Sequence, residues 1–267
     1  MTPKTTAKTT RKKIADLAPA TISEADGVRY LHLGTPWVQG AMRIRKSLAL
    51  ELEYIQRMMA WMLFRPSADL THGHAVQLGL GAAAITRFCH STLRMKTTAV
   101  ELNPTVIDAC RLWFHLPAES ARFQVLHMDA AEFAADASNH DTVQALCVDL
   151  YDHDAASPVL DSEAFYRDCH ALLAEGGVMA VNLFGRDASF ERSAERIAAV
   201  FGAAQLRSLR PTKEGNTIVV ALKPGPDADM PDREALAARA DNIETRFQLP
   251  ARKWLRMIRP WPGAAAS

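Results

Sequence analysis

The amino-acid sequence predicts an α/β fold whose mostly parallel sheet is covered by helices on both faces. Three observations carry that prediction. Apolar stretches of strand length at about 75–80, 97–102, 122–128, 144–150 and 178–184 alternate with helical patterns at about 83–95, 104–115, 130–137 and 162–174. A strand that leads through a helix to the next strand pairs with it in parallel, by a right-handed crossover. Next, AQLRSLRP and NTIVVALKP are joined only by the polar Thr212-Lys213-Glu214-Gly215, which suits an antiparallel hairpin at the end of the sheet. Third, the first strand runs into a turn with Gly79 and Gly81, where the backbone can approach a ligand closely before a helix opens.

At 267 residues the chain suffices for one large domain with a small appendage and can bury a substantial core. Its 48% hydrophobic and 23% charged residues are ordinary for a globular protein. A formal net charge of +1 gives no general attraction to nucleic acid, and none is expected as a partner. Basic residues do collect at the ends. Lys4, Lys8, Arg11, Lys12 and Lys13 precede the first acid, Asp16, while Arg246, Arg252, Lys253, Arg256 and Arg259 follow the last, Glu244. Both runs read as solvated ends.

Cys89, Cys110, Cys147 and Cys169 lie far apart in apolar patterns without C-x-x-C spacing, so buried reduced thiols are expected. His72 and His74 stand two apart with no acidic or Cys partner nearby, and no metal is expected. The N-terminus has no apolar leader and no run is long enough to span a membrane, so the expectation is a cytoplasmic protein without a membrane partner.

Residues 1–20, rich in Thr and Lys and without periodicity, read as a disordered tail. Residues 21–70 read as a short N-terminal β/helical appendage. VRYLHLG and WVQGAMRIR alternate as a hairpin turning at Gly34-Thr35-Pro36, and SLALELEYIQRMMAWMLF carries Leu48, Leu52, Ile55, Met59 and Leu63 at helical spacing. Met58, Met59 and Met62 read as core filling. Residues 71–225 form the main domain, in which Gly176-Gly177 closes the fourth helix and a helix near 189–201 leads to the final hairpin. Residues 226–267 read as a helical tail, with an amphipathic helix around 232–246 and then KWLRMIRPWP, docking on the domain or on a second subunit. A seven-stranded, mostly parallel sheet ending in an antiparallel hairpin is the layout of the Rossmann-like class I adenosylmethionine-dependent methyltransferase fold.

In an open α/β sheet, ligands bind beyond the carboxyl ends of the strands, so the acids there are the candidates. Gly79-Leu80-Gly81-Ala82-Ala83-Ala84 fits G-x-G-x-x-G/A. Glu101 follows at the end of the second strand, where a carboxylate can accept from both hydroxyls of a ribose. Asp129 ends the third strand and also suits an N-cap before AAEF, and Asp149 closes the fourth. Acids at one sheet edge beside a glycine turn point to a nucleotide. The segment CVDLYDHDAASPVLDSEAFY adds Asp152 and Asp154, and carboxylates packed this closely suit a cationic substrate or a sulfonium cofactor.

The order of the glycine turn, VELNPTVIDACR, Asp129-Ala130, VDLYDHD and LDSEAFYRDCHALLAEGGVMAV resembles the spermidine synthase (polyamine aminopropyltransferase) family over about residues 28–224. The resemblance implies a transferase that moves an aminopropyl group from decarboxylated S-adenosylmethionine to a small amine. It implies that Gly79 and Gly81 cradle the cofactor, that Glu101 holds its ribose, and that Asp129, with Ala130 beside it, holds the adenine amino group. Asp149 would be the catalytic base and Asp152 would hold the amine. Tyr54, in LELEYIQRMM, matches the tyrosine of the helix that precedes the domain. Members commonly pair through an N-terminal part of which little is present here, and a homodimer is kept as an expectation.

The sequence also departs from the family. Ala82 stands where the family has Asp, and His153 where Pro is usual after Asp152. Upstream, QGAMRIRKS offers Arg43 or Arg45 where a Gln is usual, and Ile55 follows Tyr54. Such an Arg would repel a polyamine but pair with a carboxylate, including that of intact S-adenosylmethionine. Two further readings follow: an adenosylmethionine-dependent methyltransferase acting on a small or cationic acceptor, and a catalytically inactive member serving as a binding or partner protein.

Overall fold

The computed structural model describes residues 17–150, 158–184, 188–226 and 230–261. Near the N-terminus, β1 (Ala20–Ala25), β2 (Val28–Leu33) and β3 (Gly40–Arg43) form an antiparallel sheet in that order. Between β1 and β2, Asp26 and Gly27 both adopt positive φ, 52° and 74°, the backbone of a tight hairpin that Asp-Gly enters readily. The sequence reading lacks β1, because ATISEA is largely exposed and shows no apolar alternation. Its first residue is tied to the main domain, since the Ala20 N–H donates to Thr105 Oγ1 at 2.9 Å.

The helix expected over 47–64 is shorter. Helix α1 covers Glu53–Met58, and Met59–Phe64 winds on as a tighter 3-10 segment. All six residues of MAWMLF are buried, which no single amphipathic stripe would achieve. Leu48, placed on the core face by spacing, precedes the helix and is 43% exposed.

The main sheet contains β4 (His74–Leu78), β5 (Lys96–Glu101), β6 (Phe123–His127), β7 (Val143–Val148), β8 (Leu173–Phe184), β9 (Leu206–Leu209), β10 (Asn216–Leu222) and β11 (Ile258–Pro260). Their spatial order is β11-β9-β10-β8-β7-β4-β5-β6. Strands β4 to β8 pair in parallel, whereas β10 runs antiparallel to β8 and β9. The eighth strand, β11, pairs antiparallel with β9 and brings the seven-stranded expectation to eight. Three residues that include Arg and Pro give no strand signal in the sequence.

Helices α2 (Ala84–Arg87), α3 (Pro104–Trp113), α4 (Ala130–Ala135), α5 (Glu163–Leu172) and α6 (Ala188–Phe201) provide the crossovers. Asn103, Asp129 and Ser162 cap α3, α4 and α5 by accepting from backbone N–H groups. The helix expected over 83–95 is regular only in α2 and then widens into a π turn at Phe88–Thr92. One core, on one face of the sheet, joins Cys89 and Cys147 to MAWMLF, and a second, on the other, holds Cys169 with Phe165 and Tyr166. All four cysteines are buried and unbridged.

The tail supplies α7 (Arg233–Phe247) and α8 (Ala251–Met257), which fold over the MAWMLF segment. Arg239 and Arg246 donate to the carbonyls of Leu63 and Ser67 at 3.1 and 2.9 Å, and Lys253 pairs with Glu53 at 3.0 Å. Trp254, 1% exposed, joins Trp61 in that core. Among the described residues, no helix is long and apolar enough to cross a membrane.

Candidate active site

The chain runs outward through β4, β5 and β6, then returns to the other side of β4 for β7 and β8. Beyond the carboxyl end of β4, where the order reverses, an open α/β sheet forms its ligand crevice. Register fixes which residues meet there. Leu78 stands level with Val100 and Val148, Val148 with Val181, and Glu101 with His127. Glu101, Asp149 and Asn182 therefore emerge at one edge, close to the turn after Leu78.

That turn depends on glycine. At Gly79, φ is +86°, and a Cβ would lie 2.1 Å from the Asp149 carbonyl oxygen. Without a side chain, the end of β4 can lie against the end of β7. Gly81 and Ala83 also have positive φ, 51° and 55°, so the backbone winds left-handed just before α2.

Side chains below the turn hold its carbonyls. Gln77 Nε2 donates to the oxygens of Gly79 and Leu80 at 2.7 and 3.2 Å, while its Oε1 accepts from the Thr86 N–H and hydroxyl at 2.9 and 2.6 Å. The Cys110 thiol reaches the Gly81 oxygen at 3.1 Å. Arg87, 1% exposed, donates to the carbonyls of Ala82 and Phe114 at 2.6 Å each and of Ser47 at 3.1 Å. Sequence reasoning missed both Gln77 and Arg87. The available signal was a polar residue inside an apolar run, AVQLGL, and an arginine inside AAAITRFC.

The N-terminal sheet bears directly on this turn. A Cβ on Gly40 would fall 2.5 Å from the Ala82 Cβ and 2.6 Å from its backbone nitrogen. Ala82 is only 3% exposed, so the position where an Asp was expected from the resemblance is closely covered by the start of β3. Arg43, at the end of β3, forms a two-point ion pair with Glu51 at 2.5 and 2.9 Å, and Arg45 is exposed on the turn that follows. The Arg43 charge is thus matched within the N-terminal unit.

Glu101 faces the glycine turn. Its Oε2 accepts from the Leu80 N–H and its Oε1 from the Asn103 N–H, both at 2.8 Å. Burial pushes its carboxyl above the ordinary value, and the backbone N–H groups of Asn103, Leu80 and Leu102 pull the other way. Three N–H groups on two oxygens leave one of the carboxylate's four lone-pair sites, by which it can still accept from a sugar hydroxyl. Asp129 accepts from the Ala131 N–H at 2.8 Å as the cap of α4, and Ala130 is the first helical residue.

Asp149 is anchored by its own N–H on the Leu78 carbonyl at 2.8 Å. Its carboxylate accepts from Asn182 Nδ2 at 2.9 Å and from the Tyr54 hydroxyl, which also stands 3.5 Å from the Gln39 carbonyl oxygen. Tyr54 on α1 and Asp149 after β7, ninety-five positions apart, are thereby brought into one cluster. Burial raises the Asp149 carboxyl to about 6, against the two hydrogen bonds that favour its charged form. Such a group can accept a proton near neutral pH. Asp152, Asp154 and His153 lie outside the described residues.

A domain model for spermine and spermidine synthases matches residues 81–201. A polyamine aminopropyltransferase of Neisseria meningitidis serogroup A is 33% identical over 235 residues, 88% of this chain and 86% of that protein. Among solved structures, a probable spermidine synthase from Corynebacterium glutamicum superposes with a TM-score of 0.71 at 17% identity, covering 86% of this chain and 85% of that one. Human methyltransferase-like protein 13 in complex with SAH gives a TM-score of 0.63 at 21% identity, covering 81% and 98%. At such identities the two structures establish the class I methyltransferase fold.

Proposed function

The chain belongs to the spermine/spermidine synthase family, and from that premise we propose that it moves an aminopropyl group from decarboxylated S-adenosylmethionine to a small amine. Glu101 accepts the ribose hydroxyls of that co-substrate, beside a turn held open by Gly79 and Gly81. Asp129 accepts from the adenine amino group, and Ala130 presents its helix-start backbone next to it. The donor set fits: a glycine turn that admits no side chain at Gly79, a buried carboxylate for the sugar, and acids for a sulfonium.

The co-substrate's sulfonium makes a good leaving group. Asp149 takes a proton from the attacking ammonium, freeing the lone pair on nitrogen. A bond forms from nitrogen to the carbon next to sulfur, and the carbon–sulfur bond breaks with its electrons going to sulfur. Methylthioadenosine leaves as a neutral thioether. Tyr54 orients the Asp149 carboxylate, and Asp152 holds the remaining positive charge of a diamine. Positioning carries much of the rate. The observation that supports this reading best is the Asp149 carboxyl, raised to about 6 and held by Tyr54 next to the glycine turn.

Ala82 favours a second reading, methyl transfer from intact S-adenosylmethionine, because the family's carboxylate for the cofactor amine is missing there. The Arg43–Glu51 pair takes up one of the two arginines this reading could use for the methionine carboxylate, and Arg45 stays exposed on the turn after β3. Parallel calorimetric titration with decarboxylated S-adenosylmethionine, intact S-adenosylmethionine and methylthioadenosine separates the two. Tighter binding of the decarboxylated form is expected. Tighter binding of the intact form would replace aminopropyl transfer with methyl transfer, and binding of none would leave a non-catalytic protein.

A further inference from the structure

We infer that Asn182 and Asn216 form a positioning relay that holds the Asp149 carboxylate in its charged, proton-accepting orientation. The inference rests on the reading of Asp149 as the base. Asn182 is the one uncharged hydrogen-bonding side chain in the core of the apolar strand VMAVNLF, and it is 1% exposed. A buried amide of this kind must have each of its groups satisfied. Its Nδ2 donates to Asp149 Oδ1 at 2.9 Å, and its Oδ1 accepts from Asn216 Nδ2 at 3.2 Å, across the antiparallel β8–β10 pair. Asn216 is fixed in turn by Thr212, whose hydroxyl accepts from the Asn216 N–H at 3.2 Å and lies 3.4 Å from Asn216 Oδ1.

The order of donors has a direction. An ionised carboxylate only accepts, so Asn182 must turn its amino group towards Asp149, and its carbonyl must then face β10. Asn216 supplies an amino group at that point and so favours this rotamer. Were the Asn216 donor absent, the Asn182 amide could turn over and offer its carbonyl to Asp149. A carbonyl beside the carboxyl favours the protonated acid, which is the wrong form for a base. The relay thus links the final hairpin of the sheet to the protonation state at the site. Among the described residues, the ionisable groups against Asp149 are Tyr54 from α1 and Cys147 two positions earlier on β7.

The test is the pH profile of kcat/KM for Asn216→Ala and Asn182→Ala, measured with decarboxylated S-adenosylmethionine and putrescine alongside the parent and Asp149→Asn. Thermal unfolding of each variant checks that it is folded. A hydrogen bond to a charged group is worth about 1 to 2 pH units in an acid's titration. Asn182→Ala is therefore expected to move the acid limb up by about 1 pH unit, with kcat falling more than KM changes. Asn216→Ala, farther from the site, is expected to shift it in the same direction by less. A conservative Asn216→Gln should return the limb towards that of the parent. If both alanine variants fold and keep the parent's acid limb, the relay is overturned while the base assignment stands. If Asp149→Asn keeps full turnover, the base assignment falls and the relay falls with it.

Discussion

Replacing Asp149 by Asn should stabilise the protein while removing its turnover, and the two effects have a common origin in the buried carboxyl. In the folded chain this group titrates at about 6 instead of its ordinary 3.8, because burial disfavours the charge more than Asn182 and Tyr54 favour it. Between those two values the folded protein keeps a proton that the unfolded chain has released, so stability falls as pH rises through that window and stays lower above it. At 1.36 kcal/mol per pH unit, the cost at pH 7.5 comes to about 3 kcal/mol. An amide carries no charge to bury, but it cannot accept from both Asn182 and Tyr54 as well as a carboxylate does, which returns about 1 kcal/mol. The net gain expected for Asp149→Asn is thus about 2 kcal/mol at pH 7.5, shrinking to nothing near pH 4. Urea unfolding of both proteins from pH 4 to 8 measures it. In parallel, kcat/KM of the parent should fall about tenfold per pH unit below pH 6, and the variant should lose about 100- to 10,000-fold at pH 7.5, a deficit that shrinks as pH falls below 6. A variant that is less stable at pH 7.5, or a stability difference that does not change with pH, would refute the physical picture of Asp149.

Other substitutions probe separate parts of the site and fold. Glu101→Ala should weaken methylthioadenosine binding about 10- to 100-fold by calorimetry, since it removes a charged acceptor for sugar hydroxyls and strips the Leu80 and Asn103 N–H groups of their partner. Gly79→Ala should cost at least about 1–3 kcal/mol in chemical unfolding, because its Cβ would sit 2.1 Å from the Asp149 carbonyl oxygen, and the same clash should spoil nucleotide binding. Trp254→Ala should cost about 3–5 kcal/mol although it stands in the C-terminal tail, since the indole is buried with Trp61 in the main core.

Much of the sheet was legible because its strands are apolar enough to be buried on both faces, as AVQLGL and VMAVNLF are, and because the hairpin connection is short. What escaped was structure with no local periodicity. β1 buries little, and β11 is a three-residue strand that exists only because α7 and α8 deliver it to the edge of β9. The MAWMLF segment read as one face of a helix, yet it is buried on every side once the tail covers it. The acids at the strand ends could be found from position alone, since the carboxyl edge of an α/β sheet is a place that sequence order defines. Their supports could not be found so directly. Asn182, Gln77 and Arg87 act through tertiary contacts, and the only trace they leave in the sequence is a polar residue where the pattern asks for an apolar one. Tyr54 came from the resemblance, and its contact with Asp149 depends on an N-terminal sheet packing onto the glycine turn at Gly40.

The most direct measurement is turnover of the purified full-length chain with putrescine, offered decarboxylated S-adenosylmethionine in one reaction and intact S-adenosylmethionine in another, with the nucleoside products separated by chromatography. Aminopropyl transfer requires methylthioadenosine to appear in step with an aminopropylated amine in the first reaction only. Adenosylhomocysteine with a methylated amine in the second, and no methylthioadenosine in the first, would contradict it.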